Sequence, residues 1–204
     1  MEKPKEKSDR IYDGNRDVYY DGEPDTLAEG VLKYKEGGSV LELGAGQGRN
    51  ALFLASRGFD VTAVDISSRG IANLEEKAKE MGVEVKTQIE DLQNFKFEGN
   101  FDSIISTYVF HFLSPEAALR VIRSAQDHTA MGGLNAMALL TKEGDFYHKN
   151  PTQDRFYSDP GELKDLYKGW EILEYSEVET PLNQRQPDGG PIMNVIAKIL
   201  ARKI

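Results

Sequence analysis

Apolar positions along the chain switch between two spacings. Ser39–Leu43 (SVLEL), Phe59–Asp65 (FDVTAVD), Val83–Ile89 and Phe101–Thr107 (FDSIIST) are short runs rich in branched side chains, the signature of buried strands. Between them the apolar residues recur every three or four positions, as helices require. Ala51, Leu52, Leu54 and Ala55 give a helix over Gly48–Arg57 stopped by Gly58. Ile71, Leu74, Ala78 and Met81 give a second, ended by Gly82. Ser114-Pro115-Glu116 combines a capping hydroxyl, a first-turn proline and an acid at the positive end of the dipole, so a helix is predicted from there to about His128. Gly132-Gly133 turns the chain into a fifth strand, Leu134–Leu140. A short helix is predicted over Pro160–Tyr167, and two final strands over Trp170–Glu179 and Asn194–Ala201, separated by a long Pro-, Gly- and Asn-rich loop, Thr180–Pro191.

Strands alternating with helices predict an α/β fold, a doubly wound parallel sheet covered on both faces. The last two strands have no helix between them and should pair antiparallel. The chain shows no internal repeat and no linker. Its 204 residues, 39% of them apolar, suit one domain. Residues 1–20 are expected to be a flexible N-terminal segment, able to fold over a ligand as a lid, ahead of a domain over 21–204.

Composition narrows the chemistry. The chain has no cysteine, which excludes disulfides, thiolate catalysis and cysteine-ligated metals, and it is compatible with a cytoplasmic location. A net charge of −9 supplies no basic footprint for nucleic acid. No apolar run reaches the ~20 residues that span a bilayer, and Met1–Arg10 lacks the apolar stretch of a signal peptide. No His, Asp or Glu cluster has metal-ligand spacing, so no metal is expected.

The strongest signal is Leu41-Glu42-Leu43-Gly44-Ala45-Gly46-Gln47-Gly48, placed between the first strand and the first helix. Glycines there allow the backbone to approach a ligand and turn free N–H groups toward it. Open α/β sheets bind ligands beyond the carboxyl ends of their strands. A dinucleotide fingerprint has glycines at relative positions 1, 3 and 6; here they fall at 1, 3 and 5, with Arg49 sixth, and the Gly-Lys-Ser/Thr ending of a phosphate loop is absent. Asp65 ends the second strand, where a carboxylate accepts hydrogen bonds from both hydroxyls of a ribose. That position alone suits a dinucleotide or S-adenosylmethionine. The glycine spacing and Glu42 favour the latter.

Glu42–Gly48 resembles the first motif of the Rossmann-fold (class I) S-adenosylmethionine-dependent methyltransferases. Gly46-Gln47-Gly48-Arg49-Asn50, Ile105–Phe110, Leu166–Glu171 and Leu200-Ala201-Arg202-Lys203 are more specifically similar to the tellurite-resistance methyltransferase family, from about residue 38 to the end. The resemblance implies a Rossmann-like, seven-stranded, mostly parallel sheet with an antiparallel last strand, so that 21–204 is a methyltransferase domain and S-adenosylmethionine its cofactor. It implies that Gly44, Ala45, Gly46 and Gly48 approach the methionine part, with Arg49 or Asn50 near its carboxylate and Thr107 near its amino-acid end. Asp65 would hold the ribose, Ile66 would lie against the adenine, and Asp91 and Leu92 would bracket it. It also implies a small-molecule acceptor, an oxyanion such as tellurite or selenite. Ala45 stands where relatives often carry cysteine, and Asn183 and Pro191 stand where they tend to carry an acceptor-facing histidine and arginine.

Methyl transfer from a sulfonium needs alignment more than a base, since the leaving group is neutral. Ser106-Thr107-Tyr108-Val109 stands where a methyltransferase of adenine or glutamine amino groups would carry an Asp-Pro-Pro-Tyr-type motif. The catalytic candidates are His111, Arg155 and Arg185. His111 reads either as a base or as a packed histidine among Phe110, Phe112 and Leu113; Arg155 and Arg185 read as anion contacts or solvated charges. His128 reads as a dipole partner at a helix end, and His148 belongs to a polar-aromatic segment, Thr141–Asp159, able to cap the site. Tyr12, Tyr19 and Tyr20 read as sulfonium or lid contacts or as hydrophobic anchors. Two other readings remain open: a catalytically inactive adenosine-ligand binding module, and a nicotinamide-dependent oxidoreductase.

Overall fold

A computed structural model describes residues 4–12, 23–149, 151–185 and 190–204. In chain order its elements are α1 (Pro4–Ile11), α2 (Thr26–Tyr34), β1 (Ser39–Leu43), α3 (Arg49–Ser56), β2 (Asp60–Asp65), α4 (Ser68–Met81), β3 (Val85–Ile89), β4 (Phe101–Thr107), a 3-10 turn (Phe110–Phe112), α5 (Pro115–Asp127), β5 (Thr129–Leu140), α6 (Asp145–Lys149), α7 (Glu162–Leu166), β6 (Glu171–Arg185) and β7 (Pro191–Arg202). The sheet has seven strands in the order β3-β2-β1-β4-β5-β7-β6. β7 is antiparallel to both neighbours, and the other pairs are parallel. The expected doubly wound sheet with an antiparallel last strand is therefore the fold found.

The central strands are buried on both faces, which is why adjacent positions such as Val40 and Leu41 of β1 and Ile104 and Ile105 of β4 are both apolar. One face is covered by α5 and α7, through Ala118, Val121, Ile122 and Leu163 against Ile104, Met137 and Leu139. The other is covered by α2 and α3, through Leu27, Val31, Ala51 and Leu54 against Val40, Ile105 and Ala136. The predicted start of α5 and end of α4 hold, and Ser67 adds a cap to α4. The Ser67 hydroxyl accepts from the Gly70 N–H at 3.0 Å and the Ser114 hydroxyl from the Ala117 N–H at 3.2 Å. Gly82 ends α4 in the left-handed region.

Three segments differ from the sequence expectation. β5 begins at Thr129 and not Leu134, because the C-terminus pairs with its irregular start. The Gly132 N–H donates to the Lys203 carbonyl and the Lys203 N–H to the Gly133 carbonyl, both at 2.9 Å. The supposed loop from Thr180 is largely a hairpin, with Thr180 opposite Asn194, Pro181 opposite Met193 and Arg185 opposite Pro191. Proline is tolerated there because β6 is the sheet edge, where a missing donor breaks no ladder bond. Pro4–Ile11, expected as a flexible tail, is a helix. The Asp9 carboxylate anchors it by accepting from the Ser67 hydroxyl at 2.7 Å and the Arg69 N–H at 3.2 Å, at the start of α4.

One buried polar contact ties α7 to the sheet: the Tyr167 hydroxyl donates to Asn135 Oδ1 at 2.9 Å, and Asn135 Nδ2 donates to the Thr129 hydroxyl at 2.6 Å. Tyr167→Phe strands a buried carbonyl oxygen, so it should cost about 1–3 kcal/mol in urea denaturation with the m value unchanged. A loss under about 0.5 kcal/mol would show that the bond is dispensable.

Candidate functional site

The glycine turn folds back on the end of β2. The Gly44 and Ala45 N–H groups both donate to the Val64 carbonyl, at 2.8 and 3.0 Å, and Gly48 closes the turn onto the Ala45 carbonyl at 2.8 Å. Gly44, Gly46 and Gly48 have φ of 74°, 56° and 82°, the left-handed region that side chains resist. Asp65 clamps this turn. One carboxylate oxygen accepts from the Gly46 N–H and the other from the Ser67 N–H, both at 2.7 Å. Burial raises the Asp65 pKa and these N–H bonds oppose the rise. A carboxylate oxygen can accept more than one hydrogen bond, so Asp65 can also receive a ligand. A side chain at Gly46 would collide with the Tyr12 hydroxyl, so the tyrosine ring of the N-terminal segment lies directly on the turn.

Below the turn is a buried polar network that no motif announces. Asn50 is 1% exposed. Its Nδ2 donates to Glu42 Oε1 at 2.9 Å and to the Thr107 hydroxyl at 3.2 Å, and its Oδ1 accepts from the Asp25 N–H at 2.8 Å. This amide, a candidate for the methionine carboxylate, is thus committed within the fold. Arg49 points to Asp25 at 3.5 Å. Lys198, from β7, reaches both Asp25 carboxylate oxygens at 2.9 Å. Burial alone would raise the Asp25 pKa; the charge of Lys198, the Leu27 N–H and Arg49 outweigh it and hold the carboxyl below its usual range. Both cations also stand over the Tyr108 ring, 5.6 and 5.8 Å from its centroid. Tyr108 follows β4 at φ 59°, a non-glycine residue held in the left-handed region. Sequence reasoning missed Asp25, Tyr108 and Lys198; only the helix-capping position of Asp25 before Thr26 carried a local signal.

The remaining candidates fall on the same end of the sheet. Ile66 is half-buried after β2 and Leu92 buried after β3. Asp91 accepts from the Gln93 N–H at 2.9 Å, closing its own turn. His111 is buried, and its Nδ1 has no partner among the described residues. Its ring contacts Phe112 at 4.1 Å between centroids, with Phe146 and Tyr157 at 6.4 and 6.3 Å. Burial, then the charges of Arg155 and Lys7, push the His111 pKa down to about 3, so the ring is neutral. Arg155 is exposed, on the segment that carries Tyr157. Arg185 is placed only through its backbone, in the hairpin and not in a loop. Tyr19 and Tyr20 lie outside the described residues. His128 caps α5 as expected and bonds the Gly99 carbonyl at 2.5 Å; His148 is exposed on α6. Among the described residues no group of three or more His, Asp or Glu is placed to hold a metal, and no helix is long and apolar enough to cross a membrane.

A family model described as tellurite resistance protein TehB matches residues 26–200. A protein of Haemophilus influenzae strain 10810, named probable S-adenosyl-L-methionine-dependent methyltransferase TehB, is 37% identical over 164 residues, 80% of this chain and 57% of its own length. The chain thus spans a little over half of the curated relatives that it matches. The crystal structure of TehB from Haemophilus influenzae superposes with a TM-score of 0.81 at 31% identity, covering 99% of this chain and 68% of that one. The N-methyltransferase NodS from Bradyrhizobium japonicum, in complex with S-adenosyl-L-homocysteine, shares the fold with a TM-score of 0.72 at 15% identity, covering 98% and 99%.

Glu42 makes the network sensitive to pH. Its Oε2 has no partner among the described residues, and burial pushes its pKa from 4.5 up to about 7. The folded state therefore holds this proton more tightly than the unfolded chain does. The resulting stability is fully present below about 4.5 and lost as pH rises through about 7. Glu42→Gln, which keeps the bond to Asn50, should make the urea midpoint decline less than wild type over that window. Parallel pH curves would show that Glu42 does not titrate there.

Proposed function

The chain belongs to the tellurite resistance protein TehB family, and from that premise we propose that it transfers a methyl group from S-adenosylmethionine to a small acceptor, with tellurite and selenite as the acceptor class. The observation that carries the cofactor assignment is the order of the candidate residues across neighbouring strands. Asp91 and Leu92 follow β3, Asp65 and Ile66 lie at the end of β2, Gly44–Gly48 follows β1, and Thr107 ends β4, while the sheet order is β3-β2-β1-β4. An elongated ligand laid across these carboxyl ends would place an adenine at Leu92 and Ile66, a ribose at Asp65 and an amino-acid end at Thr107. The three left-handed glycines and the Asp65 carboxylate fit such a ligand. When bound, the cofactor supplies a methyl group on a sulfonium whose carbon–sulfur electron pair returns to sulfur as an acceptor lone pair forms the new bond.

The space beyond Thr107 supports a small acceptor. The 3-10 turn after β4 and the segment after β5 close on one another, with the Phe156 N–H donating to the Leu113 carbonyl at 3.0 Å. Arg155 stands there to attract an anion, and Arg185 is the second candidate charge. The N-terminal segment completes the proposal as a lid, supported by the Asp9 anchor and by Tyr12 on the turn.

Two measurements test this reading. Calorimetric titration should show binding of S-adenosylmethionine and none of NAD. Asp65→Ala should weaken the cofactor roughly ten- to a thousandfold through the loss of one or two charged hydrogen bonds, with the melting temperature monitored because the clamp on Gly46 is lost too. Turnover assays should then find methylated product with selenite or tellurite. Binding of the cofactor without turnover of oxyanions or small thiols would leave a ligand-binding module; binding of NAD alone would overturn the assignment entirely.

A further inference from the structure

Beyond the end of β4, His111 holds a buried ring nitrogen that has no partner among the described residues. His111 is 6% exposed, and no described residue hydrogen-bonds its Nδ1. Such an atom costs stability without return unless something outside the chain satisfies it. Its walls are aromatic and come from two segments: Phe112 from its own turn, and Phe146 and Tyr157 from the stretch after β5, with Tyr147 packed on Tyr157 at 5.4 Å. The Ser158 N–H to the Leu140 carbonyl, at 3.1 Å, holds that stretch against the sheet.

The electrostatics around this ring are specific. The ring is neutral, and two cations from separate elements act on it, Arg155 from the stretch after β5 and Lys7 from α1. A neutral imidazole donates from one ring nitrogen and accepts at the other; in the Nε2–H tautomer, on which the assignment to Nδ1 rests, the unpartnered Nδ1 is the acceptor. The ligand must therefore bring its own donor to Nδ1, while the cations favour a negative charge. A dianion would set its lone pairs against the nitrogen's, and an uncharged acid would leave the cations unused. A singly protonated oxyanion meets both conditions.

We propose that His111 selects and orients the acceptor: its Nδ1 accepts a hydrogen bond from the hydroxyl of a singly protonated chalcogen oxyanion whose charge faces Arg155. This assignment rests on the oxyanion-methyltransferase reading. His111 is then a specificity residue that touches the acceptor, not a base that must hold a proton.

The test is calorimetric titration of sodium selenite into protein saturated with S-adenosylhomocysteine. Wild type should bind it, and His111→Leu should bind it about ten- to a hundredfold more weakly, the loss of one hydrogen bond to a charged ligand. The same variant should keep its affinity for S-adenosylhomocysteine and melt at the same temperature or higher, because no described residue bonds Nδ1. His111→Asn, which offers an amide oxygen close to the place of Nδ1, should stay within a few-fold of wild type. In wild type itself, the imidazole nitrogen-15 resonance of Nδ1 should move on addition of selenite, a readout that does not depend on any variant folding. A leucine variant that binds like wild type, an asparagine variant as weak as leucine, or an unmoved Nδ1 resonance at saturation would overturn the role of His111 and leave the acceptor reading standing. If wild type takes neither selenite nor tellurite yet methylates another acceptor, the oxyanion reading falls and the proposal with it.

Discussion

The side-chain amide of Asn50 is the joint on which this end of the molecule depends. One buried group binds the backbone at the start of α2, the carboxyl of β1 and the hydroxyl that ends β4. Each partner sits on a different element, and no backbone ladder connects all of them. In a low-dielectric interior such a network is costly unless its members are satisfied, and it then specifies one arrangement. That arrangement sets where α3 begins, and so where the glycine turn ends.

The turn itself is strapped from the other side. Asp65 accepts from Gly46 and Ser67, and Asp9 accepts from the Ser67 hydroxyl. The N-terminal helix, the start of α4 and the turn are thereby linked through adjacent carboxylates. Three departures from ideal structure lie at this end of the sheet: Tyr108 at positive φ, and Glu42 Oε2 and His111 Nδ1, which have no partner among the described residues. Folds tolerate such costs where a ligand repays them.

Much of this architecture was legible in the sequence. The buried central strands left short runs rich in branched residues, Ser114 marked a helix start and Gly82 a helix end, and the glycine spacing with Asp65 located the turn. These are signals confined to a few neighbouring residues. What escaped was set by distant pairing. The strand pairing from Thr180 looked like a loop because its polar, proline-containing sequence lies on an edge strand. The start of β5 depends on Lys203, at the far end of the chain. Asp25 and Lys198, 173 positions apart, form an ion pair that no local pattern encodes. Asn50 was legible as a site residue, but nothing in its neighbourhood says that Glu42, Thr107 and Asp25 would bond its amide.

If the polar network beneath the glycine turn holds a preformed cradle across β3, β2, β1 and β4, a bound ligand must leave that network intact. A crystal structure with S-adenosylhomocysteine tests it most directly. The account predicts the ribose hydroxyls on Asp65, the adenine between Ile66 and Leu92, and the Asn50 bonds to Glu42, Thr107 and the Asp25 N–H retained. A ligand seated away from Asp65, or an Asn50 amide turned from its partners to the ligand, would contradict it.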